Sequence, residues 1–570
     1  MFAAFKRKFR QVAADPVLRS WLIRRAFGLQ KPPPPFAPHL PPYVWKQLPL
    51  EMAGAVWQGP HATIADETEA TPAELPLAGV MRSFDPHDPA AFFDLAVPDI
   101  EADLARHRFA WLPLCPEIPA PVFRACWQAW RTRYFPADGP GSERCWHPYT
   151  AAERAINVID AAARLGLPAP AGEFAGDLAA HAKIISERLE YFGDHDTSNH
   201  LANNGRGLYR IGCALGDENI RELGFDILGH EAERIFLPAG MLREGSTHYH
   251  LLYLRNYLDA WLCAERHGLD DDAMVLRAVA GELMEAARHL ILPGGMPRIG
   301  DISPDCPPSF LAGIEQGKGR WADTLDDDDR VRLRAFASVV ETPDPAAALR
   351  DGWLRAGFGR WSMLAHVPEK GWPFMPGHAH QDIGSAEVHV DDAPLFVDPG
   401  RGCYGETGVA ALYRSSAVHG TLRIDGADPY PPNKPYYDDA FRALHAGPAA
   451  AMIHADGFTI AHGGYRRLGA DDVRRRWVFS AAEMRIEDGI AGSRTHSIER
   501  ALVTPLDVRL DGDSAIVGGR FRVHSEGAVP RLDAISIWHA YHNATPGTRI
   551  VFETTQSLPW SGCITVREIT

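Results

Sequence analysis

Apolar residues recurring every three to four positions dominate the chain from about Pro89 to Val340. The windows 89–107, 121–134, 150–165, 172–193, 200–215, 217–236, 246–267, 271–291 and 325–340 each read as a helix with one apolar face. Gly, Pro or Asp breaks separate them, as at Gly193-Asp194, Gly216-Asp217, Pro238-Ala239-Gly240 and Gly268. Ser246 and Asp270 or Asp271 stand where N-caps are expected. Helices joined by short loops predict an antiparallel array or incomplete (α/α) toroid. After Glu341-Thr342-Pro343 the texture changes to alternating or β-branched runs: 386–390, 421–424, 476–479 and 515–517. The turn pairs Asp425-Gly426, Asp456-Gly457, Asp488-Gly489 and Asp511-Gly512 punctuate them, which predicts an antiparallel β-sandwich. Helices first and strands second mean an α+β multidomain chain. The expected division is a leader with a Pro-rich strap at 1–88, a helical toroid at 89–345 and a β-sandwich at 346–570. The strap is Lys31 to Tyr43 (KPPPPFAPHLPPY), which cannot be helical and reads as an extended linker.

Composition narrows the class. The 570 residues are 46% hydrophobic and 23% charged, as in globular proteins, and the chain is too long for one core. A net charge of −15 argues against nucleic acid as a partner and requires any acidic polymer to meet a locally basic groove. The eight cysteines form no CxxC pair and read mostly as buried thiols. The first 25 residues are interspersed with basic side chains and contain no apolar run of secretory type, so a solvated leader helix is expected, with a membrane-surface amphipathic helix as the alternative. No run is long enough for a transmembrane helix, and the expected location is the cytoplasm, with a periplasmic or membrane-associated placement as the alternative. Arg474-Arg475-Arg476 reads as a solvated edge strand rather than a polyanion path. Oligomeric state is not legible.

Candidate chemistry is densest at GHAHQDIGSAEVHVDDAPLFVDPGRGCYGE, which starts at Gly377. His378 and His380 share one face of an extended segment, so they can hold a metal together or divide metal binding from acid–base work. Asp398 follows in Val-Asp-Pro-Gly, and His419 closes Tyr413-Arg414-Ser415-Ser416-Ala417-Val418-His419. Two histidines and one carboxylate with an open fourth position suit zinc. In the helical half, Ser198-Asn199-His200 opens a helix and is followed by Asn203, Asn204 and Arg206. Further on comes Arg243-Glu244-Gly245-Ser246-Thr247-His248-Tyr249-His250, with Tyr253 one turn later. Each has a bland reading: Asn199 as a helix cap, Tyr249 as core, Asp398 as a turn residue, Arg414 as an ion-pair partner. His248 and His250 face away from Tyr249 on a helix and read as packing.

In this order and spacing the motifs resemble the heparinase II/III-like polysaccharide lyases, which include heparin/heparan and oligoalginate lyases. The resemblance is carried by residues 190–430; Ser198 and Gly420 depart from the family pattern of Asn-Asn-His and of Asn after the last His. It implies a zinc ion on His380, Asp398 and His419 that orders the sheet-domain loop. It implies Asn199 and His200 at the substrate carboxylate, Tyr249 as the catalytic tyrosine, Tyr253 as its runner-up, and His378 facing the cleft. Arg206, Arg243, Tyr253 and Arg414 are then the expected substrate contacts, and the partner is an acidic polysaccharide or oligosaccharide.

The implied reaction is β-elimination from a uronic acid. Its C5 proton is weakly acidic because charge must build on a group already anionic, so donors to that carboxylate are needed. A base must take the C5 proton and an acid must protonate O4. Two rival readings remain. A hydrolase would use two carboxylates, Glu244 with Asp301 or Asp196. A non-catalytic polysaccharide-binding or assembly protein would keep the fold without turnover.

Overall fold

The computed structural model describes residues 12, 15–31, 36–44, 55–65, 71–135, 142–375 and 377–569. Most of the basic leader and residues 32–35 of the Pro-rich segment lie outside them; residues 36–43 of that segment are in neither helix nor strand. A helix, Pro16–Ala26, is followed by a two-stranded hairpin, Ala73–Leu77 against Val80–Phe84, which precedes the toroid helices and was not anticipated from the sequence.

The helical half runs Ile100–Arg108, Ala120–Tyr134, Pro148–Leu165, Ala171–Glu187, His200–Leu215, Glu218–Ile235, Thr247–Arg266, Asp270–His289 and Asp327–Val339. The 89–107 window shortens because Pro98 blocks earlier helix and the Asp99 carboxylate caps at Ala102 N–H. Ser246 caps its helix through Tyr249 N–H, 3.2 Å away. Asp270 and Asp271 instead sit in the first turn of theirs, where their charge opposes the helix dipole, with Leu269 at the cap. Glycines allow the closest approach: a Cβ on Gly212 would strike the Arg221 backbone, and one on Gly224 would strike that of Tyr209. The 200–215 and 218–235 helices therefore pack nearly backbone to backbone.

Buried charge ties the toroid together. Arg206, only 3% exposed, donates to Asp259 Oδ2 at 2.8 Å and to Glu153 Oε1 at 2.9 Å, joining three helices. Arg210 pairs with Asp259 and Asp160.

The strand half begins at Trp353. One sheet has four strands in the order Trp353–Phe358, Trp361–His366, Glu387–Val390 and Ala393–Phe396. A second holds Pro530–Ala540, Asn543–Ser557, Thr495–Thr504 and Leu422–Ile424. The third is eight-stranded and places Ala470–Phe479 between Glu483–Gly492 and Gly457–His462. Every strand pairing is antiparallel, and residues from all three sheets (Leu354 and Trp361, Leu502 and Phe552, Trp477 and Ile486) share one core. The Arg474–Arg476 strand is thus an interior strand, not an edge. Arg475 is buried against Asp488 at 2.8 Å, and only Arg474 and Arg476 face outward. The pairing satisfies the charge, so the residue tolerates burial that an unpaired arginine would not.

The halves meet at one seam. The segment 236–246 leads into the Thr247–Arg266 helix, residues 292–306 lie beside it, and the 377–386 loop of the strand half closes over both. His378 N–H donates to Glu244 O at 2.8 Å, and Asp301 N–H to His378 O at 3.0 Å. Gly245 (φ +71°) and Gly300 (φ +82°) make the approach possible. A Cβ on Gly245 would press on His366 and Ala379, and one on Gly300 on Gly245 O and His378 O.

Candidate active site

Asn199 occupies the N-cap position of the His200–Leu215 helix, yet its side chain makes no capping bond. Its amide turns across the seam, Nδ2 lying 3.0 Å from Glu244 Oε2 and 3.3 Å from His378 Nε2. Glu244 Oε1 takes the Asn199 backbone N–H at 3.0 Å, and Tyr253 Oη donates to Asn199 O. Asparagine at a helix start ordinarily caps; here tertiary contacts outcompete the local bond and leave the amide aimed at an imidazole.

His378 is held at both nitrogens. Nδ1 is 3.1 Å from Asp301 Oδ2 and Nε2 is 3.2 Å from Glu244 Oε2. The Tyr249 ring stacks on it, centroids 3.6 Å apart at 10°. Tyr249 Oη lies 2.7 Å from Tyr404 Oη, which also donates to Ile302 O at 3.2 Å. One hydroxyl hydrogen cannot serve both, so with Tyr404 donating to Ile302 the Tyr249 hydroxyl donates to Tyr404. Burial pushes the Tyr249 hydroxyl well above its ordinary value; the Asp305 charge adds to the rise and the Tyr404 bond opposes it. Tyr249 is therefore protonated at neutral pH.

Asp301 joins the two histidines. Its carboxylate meets His378, His380 Nε2 at 2.9 Å and Arg401 Nη1 at 2.9 and 3.1 Å. Burial alone would push this carboxyl up, but the two histidine bonds and the Arg401 charge hold it well below the usual carboxylate range. Asp301, Glu244, Arg401 and Tyr404 were not among the expected site residues for a lyase. Arg401 and Tyr404 lie inside the motif-rich stretch that begins at Gly377, and Glu244 lies inside the Arg243–His250 stretch; the role of each, and that of Asp301, follows only from what it touches.

One pairing of the hydrolase reading, Glu244 with Asp301, is consumed here. Glu244 and Asp301 are buried and clamp His378 from its two nitrogens, so they do not face each other across an open bond.

His380, Asp398 and His419 converge, with one ligand atom from each lying within 4.8 Å of the others. His380 Nδ1 is buried and has no partner, while its Nε2 is fixed by Asp301. His419 Nδ1 is 3.0 Å from Asp398 Oδ2, and its Nε2 donates to Tyr413 O at 3.2 Å. An orphaned imidazole nitrogen, a carboxylate, and outer nitrogens already tied to a carboxylate and a carbonyl are what a divalent-metal site presents.

The remaining expected residues divide. His200 stands on the toroid wall with its side chain 43% exposed, 2.8 Å from Glu190 Oε1 and next to Tyr149. Burial pulls this imidazolium down, but the Glu190 charge and hydrogen bond outweigh it and its pKa is raised. Arg414 is half-buried, and among the described residues its guanidinium has no hydrogen bond or ion pair. Arg243 packs over Phe374 and donates to Thr197 O at 2.8 Å, bracing the loop before Asn199. Tyr253 spends its hydroxyl on the Asn199 carbonyl. Arg206 departs from the expectation: it lies in the toroid core, because Glu153 and Asp259 neutralise it there. His248 and His250 are buried, and burial lowers them to about 3 and about 4, so they pack as neutral rings.

Residues 341–557 match the family model described as heparinase II/III-like, C-terminal. No protein of curated function matches the sequence. Among solved structures, a heparinase III is similar at 14% identity with a TM-score of 0.61, over 87% of this chain and 80% of that one. The heparan sulfate lyase HepC from Pedobacter heparinus is similar at 16% identity with a TM-score of 0.53, over 84% of this chain and 78% of that one. The chain thus has the fold of heparinase III, and its residues 341–557 match the heparinase II/III-like C-terminal family model.

Proposed function

We propose that this protein is a polysaccharide lyase that cleaves a uronic-acid-containing polymer by β-elimination, leaving a 4,5-unsaturated uronate. The observation that carries the reading is the Tyr249–His378 stack with the Asn199 amide 3.3 Å from His378 Nε2. A proton donor, a proton acceptor and a carboxylate-binding amide share one small volume. The similar solved structures are named as heparinase III and heparan sulfate lyase, and that likeness of fold supports the reading.

The chemistry follows from the contacts. Asn199 Nδ2 turns from Glu244 to the substrate carboxylate, where charge accumulates as C5 loses its proton. His378, with its Nδ1 hydrogen given to Asp301, keeps Nε2 as the acceptor for that proton. Tyr249, protonated at neutral pH, gives its hydroxyl proton to O4 as the C4–O4 bond breaks. Tyr404, whose oxygen accepts the Tyr249 hydroxyl hydrogen, orients that proton; the proton His378 takes from C5 offsets the one Tyr249 gives to O4, and both groups reset by exchange with solvent. The C5–H electron pair becomes the C4–C5 double bond, so no oxidant or reductant is needed. Arg414, whose guanidinium has no ion pair among the described residues, supplies local positive charge to an acidic polymer despite the chain's net −15.

A zinc ion is the metal that His380, Asp398 and His419 suit best, two imidazoles and one carboxylate with an open fourth position. When bound it would fix the 377–386 and 413–419 segments and, through His380 and Asp301, the His378 ring.

The test is absorbance of the unsaturated product with heparan, chondroitin, hyaluronan, alginate and glucuronate-rich bacterial polymers. A signal in the wild type that vanishes in Tyr249→Phe is expected. Polymer binding without any new double bond would overturn the lyase reading in favour of a binding protein, and new reducing ends without unsaturation would establish hydrolysis.

A further inference from the structure

The chain is acidic overall, but residues 1–31 carry eight Lys or Arg side chains against one acid, Asp15. Within them the helix Pro16–Ala26 is fixed to the strand half. Val17 and Trp21 pack with Tyr437 and Phe441, and the Trp21 and Tyr436 rings are 4.5 Å apart. Docking by one face orients the other. That outer face presents Ile23 at 58% exposure and, one turn on, Phe27 at 78%. Leu29 follows at 61%, beyond the turn made by Gly28 at φ +72°. Arg19 and Arg25 are exposed on the same element, and Arg24 and Arg467 impose positive charge on nearby His445.

Solvent gives no reason to hold three large apolar side chains outward on an anchored helix. A basic groove alone does not need them, and aliphatic Ile23 and Leu29 offer a polyanionic sugar neither hydrogen bonds nor charge. Apolar side chains ringed by arginine match an anionic lipid surface: the rings enter the acyl boundary and the guanidinium groups stay with the phosphates.

We propose that the outer face of the Pro16–Ala26 helix, with Ile23, Phe27 and Leu29 as its apolar tip, Arg19 beside them and Arg25 exposed at the flank over Trp21, docks the protein on an anionic membrane surface. Local positive charge overcomes the repulsion that net −15 would otherwise create at such a surface. Among the described residues no helix is long and apolar enough to cross a membrane, so the contact is peripheral.

Co-sedimentation of the full chain with phosphatidylglycerol/phosphatidylcholine vesicles and with pure phosphatidylcholine vesicles tests this. Binding to the anionic vesicles only is expected, weakening as salt is raised. Ile23→Ser/Phe27→Ser should abolish most of it, and Arg19→Glu or Arg25→Glu should each weaken it about fivefold or more. The variants are at exposed positions, and unchanged melting temperatures would show that they fold. No sedimentation of the wild type, or equal sedimentation of the Ile23/Phe27 variant, overturns the proposal. So does retention on heparin that these substitutions weaken while the vesicles bind nothing, which would make the occupant a polyanion.

Discussion

The Tyr249 ring lies flat on the His378 imidazole, centroids 3.6 Å apart, although the two residues come from different halves of the chain. Tyr249 is on the first turn of a toroid helix and His378 is on a loop of the strand half. The stack orients the phenol, and the Tyr404 hydroxyl at 2.7 Å fixes where its proton points. Tyr249→Phe should retain the fold and lose about 10²–10⁴-fold in kcat, the usual contribution of a positioned acid. Tyr404→Phe should cost less, about 5–10-fold, the worth of one hydrogen bond, and should move the alkaline limb of the pH–rate profile upward because the bond opposes the rise in the Tyr249 pKa. A Tyr404→Phe profile superimposable on the wild type would remove Tyr404 from the proton path.

Glu244 accepts two hydrogens from Asn199 and lies against His378. Glu244→Ala would strand the buried Asn199 N–H and release its amide. A stability loss of about 1–3 kcal/mol is expected by denaturant unfolding. Glu244→Gln keeps one acceptor, and should recover most of the stability without recovering turnover.

Metal content gives a separate check. Purified wild-type protein should carry about one zinc per chain, and His419→Ala close to none, measured by elemental analysis. Chelation should lower the melting temperature of the wild type and leave that of His419→Ala unchanged. Equal metal content in both would separate the cluster from metal binding.

The His200–Glu190 pair predicts a pH-dependent contribution to stability. The His200 pKa is raised in the folded state, so protonation is favoured there. Its stabilising contribution is complete below the unfolded value, about 6.5, and is lost as pH rises through the higher folded value. The melting difference between wild type and His200→Gln should therefore be larger at about pH 5.5 than at about pH 9. The opposite trend would mean that the imidazole is neutral in its pair.

Arg206 should behave as a core residue. Arg206→Met leaves Glu153 and Asp259 without their shared partner, apart from Arg210 on the latter and Arg255 at 3.9 Å from the former. A loss of about 3–5 kcal/mol in unfolding free energy is expected. The KM of the folded fraction should be unchanged; a selective rise in KM with normal stability would return Arg206 to the substrate.

Much of this protein is legible along its chain. The helices fall close to their apolar periods because each must bury one face, and the change to strands after residue 343 is a change in that period. His378 and His380 are legible as a pair because a short extended segment fixes which side chains share a face; Asp398 and His419 join them through the order of motifs that the family resemblance supplies. Tertiary structure alone decided the rest. Asp301 lies 77 residues before His378 and Glu244 lies 134 before it, so no local pattern couples them. Asn199 looks like a cap and Arg206 like a ligand for anions; packing turns the first toward an imidazole and seals the second between two carboxylates. Periodicity records which face of an element is buried. Which polar group meets which across a seam depends on where the helical and strand halves come together.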